Sequence, residues 1–383
     1  MQAIGGGAVK IGIVTFYRVA NYGAMLQAYA LWKFLESRGH EIVFIHIPRV
    51  APERIPLWRC FVSRSWKGVV TKLRLRIRHS ITEFAASYPQ TFVCHSIDDI
   101  KRETAACDVF IVGSDQMWNP IWCSGEHLPL VMLDFAAEGK PRIAYAASFG
   151  VESWDEKYGP ERAGAALSKF KAISVREASG VEIVKDLTGR TDAKCLLDPT
   201  LLHGSGFYRR IIAERQIVNC DDSSYVFRYW LQWSDVRESD GAVELIKKLI
   251  GVNCVEDDSI PVGGVGASFY RMCGVQGKVT VPEWLNKIAG ASFMLTNSFH
   301  GTVFAILFHR PFLSVLLRGG MSGMNERALS LLQILGLEDR AIYLDEVVEY
   351  ERLIAEPIDW ISVESRLDAK RDEVKEWLDE VGL

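Results

Sequence analysis

Thr296-Asn297-Ser298-Phe299-His300-Gly301-Thr302-Val303-Phe304 follows an apolar run, Ala291 to Leu295, and opens a helical pattern that continues through Ala305-Ile306-Leu307-Phe308. The run reads as a buried strand, so His300 and Gly301 fall where a strand ends and a helix begins. At such a place the first backbone N–H groups have no intrahelical partners, and the helix dipole favours an anion. A histidine there can give a proton to whatever the helix end holds. The alternative is a capped, hydrogen-bonded side chain with a structural role only.

Outward from this stretch, strand and helix patterns alternate. Lys10 to Phe16, Glu41 to Ile47, Asp108 to Gly113, Arg142 to Ala147 and Ala172 to Val175 read as strands. Helical patterns run from Met25 to Ser37, Glu161 to Phe170 and Ala178 to Leu187. Asp198-Pro199-Thr200-Leu201-Leu202 reads as a crossover linker. A second set has strands at Ser224 to Leu231, Lys278 to Val281 and Phe312 to Leu317, with helices at Gly241 to Leu249 and Pro282 to Ile288. Such alternation predicts parallel sheets with helices on both faces, and two consecutive units place ligand-binding strand ends on a cleft between them. At 383 residues the chain is too long for one ordinary core. The expected division is 1–197, a linker at 198–204, 205–356, and an amphipathic helix at 357–383.

Hydrophobic residues at 49% and charged residues at 24% give a folded, soluble balance. A net charge of −4 and a pI near 6.1 give no global reason to expect nucleic acid. The eight cysteines form no C-x-x-C pair, which argues against zinc and disulfide frameworks and for a reducing cytoplasm. The N-terminal residues lack a signal-peptide pattern, and no run is long and apolar enough to span a membrane. One segment departs from the average. Arg54 to Arg78 holds eight Lys or Arg and no Asp or Glu, and Val70, Leu73, Ile77, Ile81 and Phe84 recur at helical spacing. The functional reading of 54–84 is peripheral contact with the inner membrane surface or with a lipid-linked acceptor. The alternative is a solvated helix face.

Three further stations could carry chemistry. Asn21-Tyr22-Gly23 follows the first strand and opens a helix, so its amides could hold an anion or a sugar hydroxyl. It lacks the dinucleotide fingerprint. Gly113-Ser114-Asp115-Gln116-Met117-Trp118-Asn119-Pro120 ends another strand. There Asp115 could act as general base or bind hydroxyls, and the Trp118 indole suits sugar stacking. Alternatively Asp115 caps the next segment and Trp118 fills an interface. Arg176, at the tip of Ala172 to Val175, suits a bidentate grip on carboxylate or phosphate, with Glu177 as its alternative partner. Arg318 and Arg327 flank a glycine-containing loop and are weaker candidates for the same anion. No D-x-D, P-loop or G-x-S-x-G is present, so no metal is expected.

In order, Asn21-Tyr22-Gly23-Ala24-Met25-Leu26-Gln27-Ala28-Tyr29-Ala30, Gly113 to Pro120, Ser174-Val175-Arg176-Glu177, Asp198-Pro199-Thr200, Asn297 to Thr302 and Ser330 to Leu337 resemble the polysaccharide pyruvyl transferase family. The resemblance covers roughly residues 10 to 340. It implies an α/β fold of two Rossmann-like domains in a GT-B-like arrangement, with an interdomain cleft between an N-terminal acceptor side and a C-terminal donor side. It implies transfer of the pyruvyl unit of phosphoenolpyruvate to two hydroxyls of a sugar in a surface polysaccharide or its lipid-linked precursor, with ketal formation and phosphate release. Phosphoenolpyruvate is then a co-substrate and no cofactor is expected.

Carried over by motif, His300 is the general acid and Arg176 an anchor for the donor's acidic groups. From the residues themselves, Asp115 joins the catalytic set, Asn297, Ser298, Gly301, Arg318 and Arg327 are expected on the donor, and Asn21, Tyr22, Gly23 and Trp118 on the acceptor. Family members often carry Arg-Leu-His where this chain has Ser298-Phe299-His300, so Arg318 or Arg327 must supply that charge, or the donor differs. A nucleotide-sugar glycosyltransferase of the same shape and a non-catalytic sugar-binding scaffold are the competing readings.

Overall fold

A computed structural model of the protein describes residues 7–47, 69, 83–121, 128–215, 224–231, 236–258, 279–345 and 347–383. The basic segment 54–84 lies outside the described residues apart from Val69, Glu83 and Phe84. Among the described residues, no helix is long and apolar enough to cross a membrane.

The chain forms two α/β domains, each on a parallel sheet. The first sheet contains β1 (Lys10–Val14), β2 (Glu41–Phe44), β3 (Val109–Val112), β4 (Arg142–Ala147), β5 (Ala172–Val175) and β6 (Lys194–Cys195), in the order β2-β1-β3-β4-β5-β6. The second contains β7 (Tyr225–Tyr229), β8 (Cys254–Asp257), β9 (Phe293–Thr296), β10 (Phe312–Val315) and β11 (Ala341–Ile342), in the order β11-β10-β9-β7-β8. β3, β5, β9 and β10 are buried throughout. That explains their unbroken apolar runs: a parallel strand covered on both faces by helices needs no polar alternation.

In each sheet the order reverses beside the first strand, between β1 and β3 and between β7 and β9. Ligands of open parallel sheets bind outside the strand C-termini at that point. Asn21, Ser114, Asp115, Asn297 and His300 all follow such strand ends.

Lys278 to Val281, expected as a strand, is not one among the described residues. Thr280 is instead the N-cap of the helix Val281–Gly290, with Glu283 completing a reciprocal capping box and Pro282 in the first turn. Within the stretch expected as a crossover linker, Pro199–Leu202 is a buried 3-10 turn packed on the first helix, Tyr22–Ser37.

Among the contacts that tie the domains together are an aromatic stack and the C-terminal helix. Tyr22 stacks on Trp284 with centroids 5.0 Å apart, and its hydroxyl donates to the Val279 carbonyl at 2.8 Å. The helix Trp360–Val381 starts beside the second domain, where His309 stacks on Trp360 at 4.9 Å and its Nε2 lies 2.8 Å from Glu364. It ends on the first, where Lys171 donates to Val381 O at 2.8 Å and Arg38 to Leu383 O at 2.7 Å.

Candidate active site

The helix Phe299–Leu307 begins two residues after β9 because Ser298 caps it, accepting from Gly301 N at 3.3 Å. A Cβ on Gly301 would lie 2.5 Å from Thr296 Oγ1, so only glycine lets the helix start this close to the strand. The Tyr22–Ser37 helix is capped likewise, Asn21 Oδ1 accepting from Ala24 N at 3.1 Å. The two helix starts meet: a Cβ on Gly23 would lie 2.0 Å from His300 Nδ1. Two helix N-termini from different domains therefore converge on one imidazole, and both favour an anion there.

His300 lines a cleft of about 590 Å³, a volume that includes open solvent, together with Asn21, Asp115, Gln116, Asn297, Ser298, Phe299 and Arg327. Its Nε2 faces Asp198 Oδ2 at 3.6 Å, and that nitrogen is buried without a hydrogen bond. Asp198, itself outside the cleft lining, is the hub of a buried polar network against His300. Its Oδ2 also accepts from Arg176 Nη1 and Ser114 Oγ, each at 2.8 Å, and its Oδ1 from Thr200 N at 2.9 Å and Thr200 Oγ1 at 2.6 Å. Burial alone would push the Asp198 carboxyl up, but His300, Arg176 and Thr200 hold it well below the carboxylate range.

Arg176, expected to grip a donor anion, lies behind the cleft wall and not on it. Burial works against its charge, yet Asp198, Asp115 and Glu177 outweigh that and raise its pKa above the ordinary value. Its guanidinium lies over the Phe299 ring at 4.5 Å. Glu177 is not its hydrogen-bond partner; Glu177 Oε1 instead accepts from Phe149 N at 2.6 Å, Gly150 N at 3.1 Å and Ser148 Oγ at 3.1 Å.

Asp115 stands in the cleft in a left-handed conformation, φ 70°, which costs a non-glycine residue about 1 kcal/mol. Its peptide carbonyl accepts from Ser148 N at 2.9 Å and Met117 N at 2.7 Å, and its Oδ1 from Gln116 N at 2.9 Å. The strained turn aims the carboxylate toward Arg176 Nη2, 3.6 Å away, and into the cleft.

Arg327 enters the cleft from the helix Glu326–Leu335. Its described contacts are Met324 O at 3.4 Å, the Met324 sulfur at 3.7 Å and the Phe299 ring at 5.8 Å, with no carboxylate among them. Burial, and then the like charge of Arg176, pull its pKa down to about 10. It remains a desolvated cation at neutral pH, acted on at a distance by Asp115, Glu177 and Asp198 but in no direct ion pair among the described residues.

The other expected site residues divide. Asn297 lines the cleft, but its amide is used up on Leu231, accepting from N at 2.7 Å and donating to O at 3.1 Å. Asn325 repeats the device on Leu317, at 2.8 Å for both bonds, and fixes the cleft wall after β10. Trp118, expected to stack a sugar, is 1% exposed; it packs between Phe149 and Phe170 and donates to Val131 O at 3.2 Å. Tyr22, expected on the acceptor, is likewise buried in the interdomain contact. Arg318 is outside the cleft lining and pairs with Asp345 at 2.6 Å. Asp198, Phe299, Gln116 and Asn325 were not among the expected site residues. For Asp198 the signal was the Asp-Pro-Thr run, where an Asp accepts from the N–H two residues on.

Among the described residues, no three His, Cys, Asp or Glu side chains are grouped to hold a metal ion. The arrangement suits a reaction in which an anion sits against two helix ends and one guanidinium while the imidazole moves a proton.

No curated protein matches this chain. The structure is similar to that of UGT89C1 from Arabidopsis thaliana, with TM-score 0.50 and 10% identity over 98% of this chain and 100% of that one. It is also similar to the UDP-GlcNAc 2-epimerase of Neisseria meningitidis bound to UDP-GlcNAc, with TM-score 0.49 and 9% identity over 97% and 100%. The first likeness agrees with the two-sheet topology and establishes a GT-B-like fold. Sequence decides the family: the model for polysaccharide pyruvyl transferases matches residues 21–317, from the Asn21 cap through β10. With most of its length inside that match, the chain belongs to the polysaccharide pyruvyl transferase family.

Proposed function

We propose that the protein transfers the pyruvyl group of phosphoenolpyruvate to two hydroxyls of a saccharide, forming a ketal and releasing phosphate. The observation that carries this reading is the imidazole of His300, set between two helix N-termini and opposite Asp198, in a cleft that Arg327 enters without a direct ion pair among the described residues. His300 donates a proton to the methylene carbon of the enol, and the adjacent carbon becomes electrophilic. One acceptor hydroxyl adds there and gives up its proton, and the phosphate then leaves with a proton of its own. The second hydroxyl closes the ketal. One proton goes to the new methyl group and one to phosphate, matching the two lost from the hydroxyls. Asp115, in the same cleft, is placed to take a hydroxyl proton. Holding donor and acceptor in one cleft supplies much of the remaining advantage.

Arg327 replaces the arginine that many members carry at the position of Ser298 and binds the donor's phosphate or carboxylate. Arg176 is a positioning residue that holds Asp198 and the Phe299 ring. Arg327→Ala is therefore expected to weaken phosphoenolpyruvate binding roughly tenfold or more, with the thermal midpoint nearly kept, because no ion pair is broken. Calorimetry with phosphoenolpyruvate checks this; unchanged affinity would remove Arg327 from the donor site.

Gly23→Ala tests the ring's placement. Alanine is favoured over glycine in a helix by about 1 kcal/mol. The added methyl would nevertheless meet the His300 Cβ at 2.7 Å as well as its ring. The two helix starts must then move apart, and a lower thermal midpoint is expected alongside the displaced ring. Turnover should fall on the order of a hundredfold, as for other small misplacements of a reacting group. The assay is phosphate release from phosphoenolpyruvate across a panel of nitrophenyl and lipid-linked sugars; full activity in the variant would mean that this ring position is irrelevant. A nucleotide sugar that raises the melting midpoint while phosphoenolpyruvate does not would favour a glycosyltransferase.

A further inference from the structure

A second group of unsatisfied polar atoms lies at the C-terminal ends of β1 and β2, away from His300. Arg18 donates from Nη1 to Gln90 Oε1 at 3.1 Å, and Tyr17 donates its hydroxyl to the same oxygen at 3.0 Å. The Arg18 Nε is buried and has no partner. His46 is 5% exposed, and its Nε2 is also buried without a partner. The backbone fixes this corner: His46 N donates to Thr91 Oγ1 at 3.0 Å, and Cys94 N to His46 O at 2.8 Å.

Among the described residues no carboxylate pairs with Arg18. Burial first, and then Arg18 and His95, lower the His46 pKa. Asp99, on the same stretch as His95, is engaged with Ser96 N, His95 N and Arg102. Buried polar atoms are costly to leave unpaired, and both the Arg18 Nε donor and the His46 Nε2 lack a partner here, at the strand C-terminal edge of the sheet and one strand from the β1–β3 switch point.

We propose that Arg18, His46 and Gln90 form an anion-binding subsite that takes a phosphate ester carried by the acceptor saccharide. The proposal rests on the saccharide-acceptor reading of the cleft. Arg18 precedes Asn21, which lines that cleft, by three residues, a span of at most about 11 Å. A phosphate held at Arg18 thus leaves its sugar within reach of the donor. A tetrahedral anion presents oxygens in several directions and can meet both guanidinium and imidazole donors, whereas a planar carboxylate is satisfied by one guanidinium edge. Phe92, 83% exposed beside this corner, offers a face for the sugar ring.

The test is calorimetric titration of the full chain with glucose 1-phosphate, inorganic phosphate and methyl glucoside, with and without saturating phosphoenolpyruvate. Glucose 1-phosphate and phosphate should bind saturably in both conditions, and methyl glucoside far more weakly. Arg18→Ala and His46→Gln should each weaken phosphate-ester binding roughly tenfold or more, and Arg327→Ala should leave it unchanged. Arg18→Lys, with its melting midpoint recorded, serves if the alanine variant does not fold, and it should also bind more weakly because it lacks the Nε donor. The proposal is overturned if neither phosphate compound binds, if Arg18 variants that keep their fold bind normally, or if Arg327→Ala or phosphoenolpyruvate abolishes the binding. In the last case the anion goes to the His300 cleft and the proposed reaction stands. Failure of phosphoenolpyruvate to bind at all would sink that reaction while leaving the Arg18 result readable.

Discussion

His300→Gln is expected to lose turnover by a factor of roughly a thousand while phosphoenolpyruvate still binds. General acids contribute on the order of 10²–10⁴ to rate, and glutamine keeps a similar volume against Gly23 without a titratable ring. The donor's affinity should survive because the helix ends and Arg327 remain. Phosphate release and calorimetric donor binding, measured on one preparation, separate the two effects. Equal losses of both would make His300 a binding residue, and wild-type turnover would end its role as acid.

The second large effect belongs to a residue outside the expected set. Asp198 is fully buried with Arg176, Ser114, Thr200 and His300 around it. Removing one partner of a buried ion pair leaves the other uncompensated, which costs about 3–5 kcal/mol. Asp198→Asn keeps the shape and some hydrogen bonds, so roughly 3 kcal/mol is expected, read as a lower denaturation midpoint. Activity should fall as well, since Arg176 and the imidazole lose their shared carboxylate.

The pH dependence follows from the direction of the Asp198 shift. A carboxyl held below its unfolded value stabilises the fold fully above that value, near 3.9, and loses the contribution as pH falls through lower values. Wild type and Asp198→Asn should therefore differ most above about pH 4 and converge in stronger acid. A gap that stays constant into strong acid would mean that Asp198 is not the titrating group.

Much of this was legible in the sequence. β3, β5 and β9 read correctly because runs such as Val109-Phe110-Ile111-Val112 are apolar on both faces, and the helices between them fixed the class. β6 and β11 are two residues each, and β8 is only half-buried, so none carries a pattern. At Lys278 to Val281, β-branched residues suggested a strand although Thr280-Val281-Pro282-Glu283 already held a helix start; the capping box should have outranked propensity. Strand ends with polar residues drew attention to His300, Asp115 and Asn21, and the glycine-containing loop to Arg327; all four line the cleft. Sequence could not tell which of the aromatic and cationic side chains nearby face the cleft. Trp118 and Arg176 turn inward because Phe149, Phe170, Phe299 and Asp198, brought together only by tertiary packing, form the surroundings that hold them.

The central claim is that an imidazole in the interdomain cleft protonates the methylene carbon of an enol donor. The most direct test is to run the reaction in deuterium oxide with phosphoenolpyruvate and a turned-over saccharide, and to examine the product methyl group by NMR. One solvent deuterium per ketal methyl, with stoichiometric phosphate, is the expected result. A product with no solvent deuterium at that carbon, or a sugar transferred from a nucleotide with phosphoenolpyruvate untouched, would contradict the account.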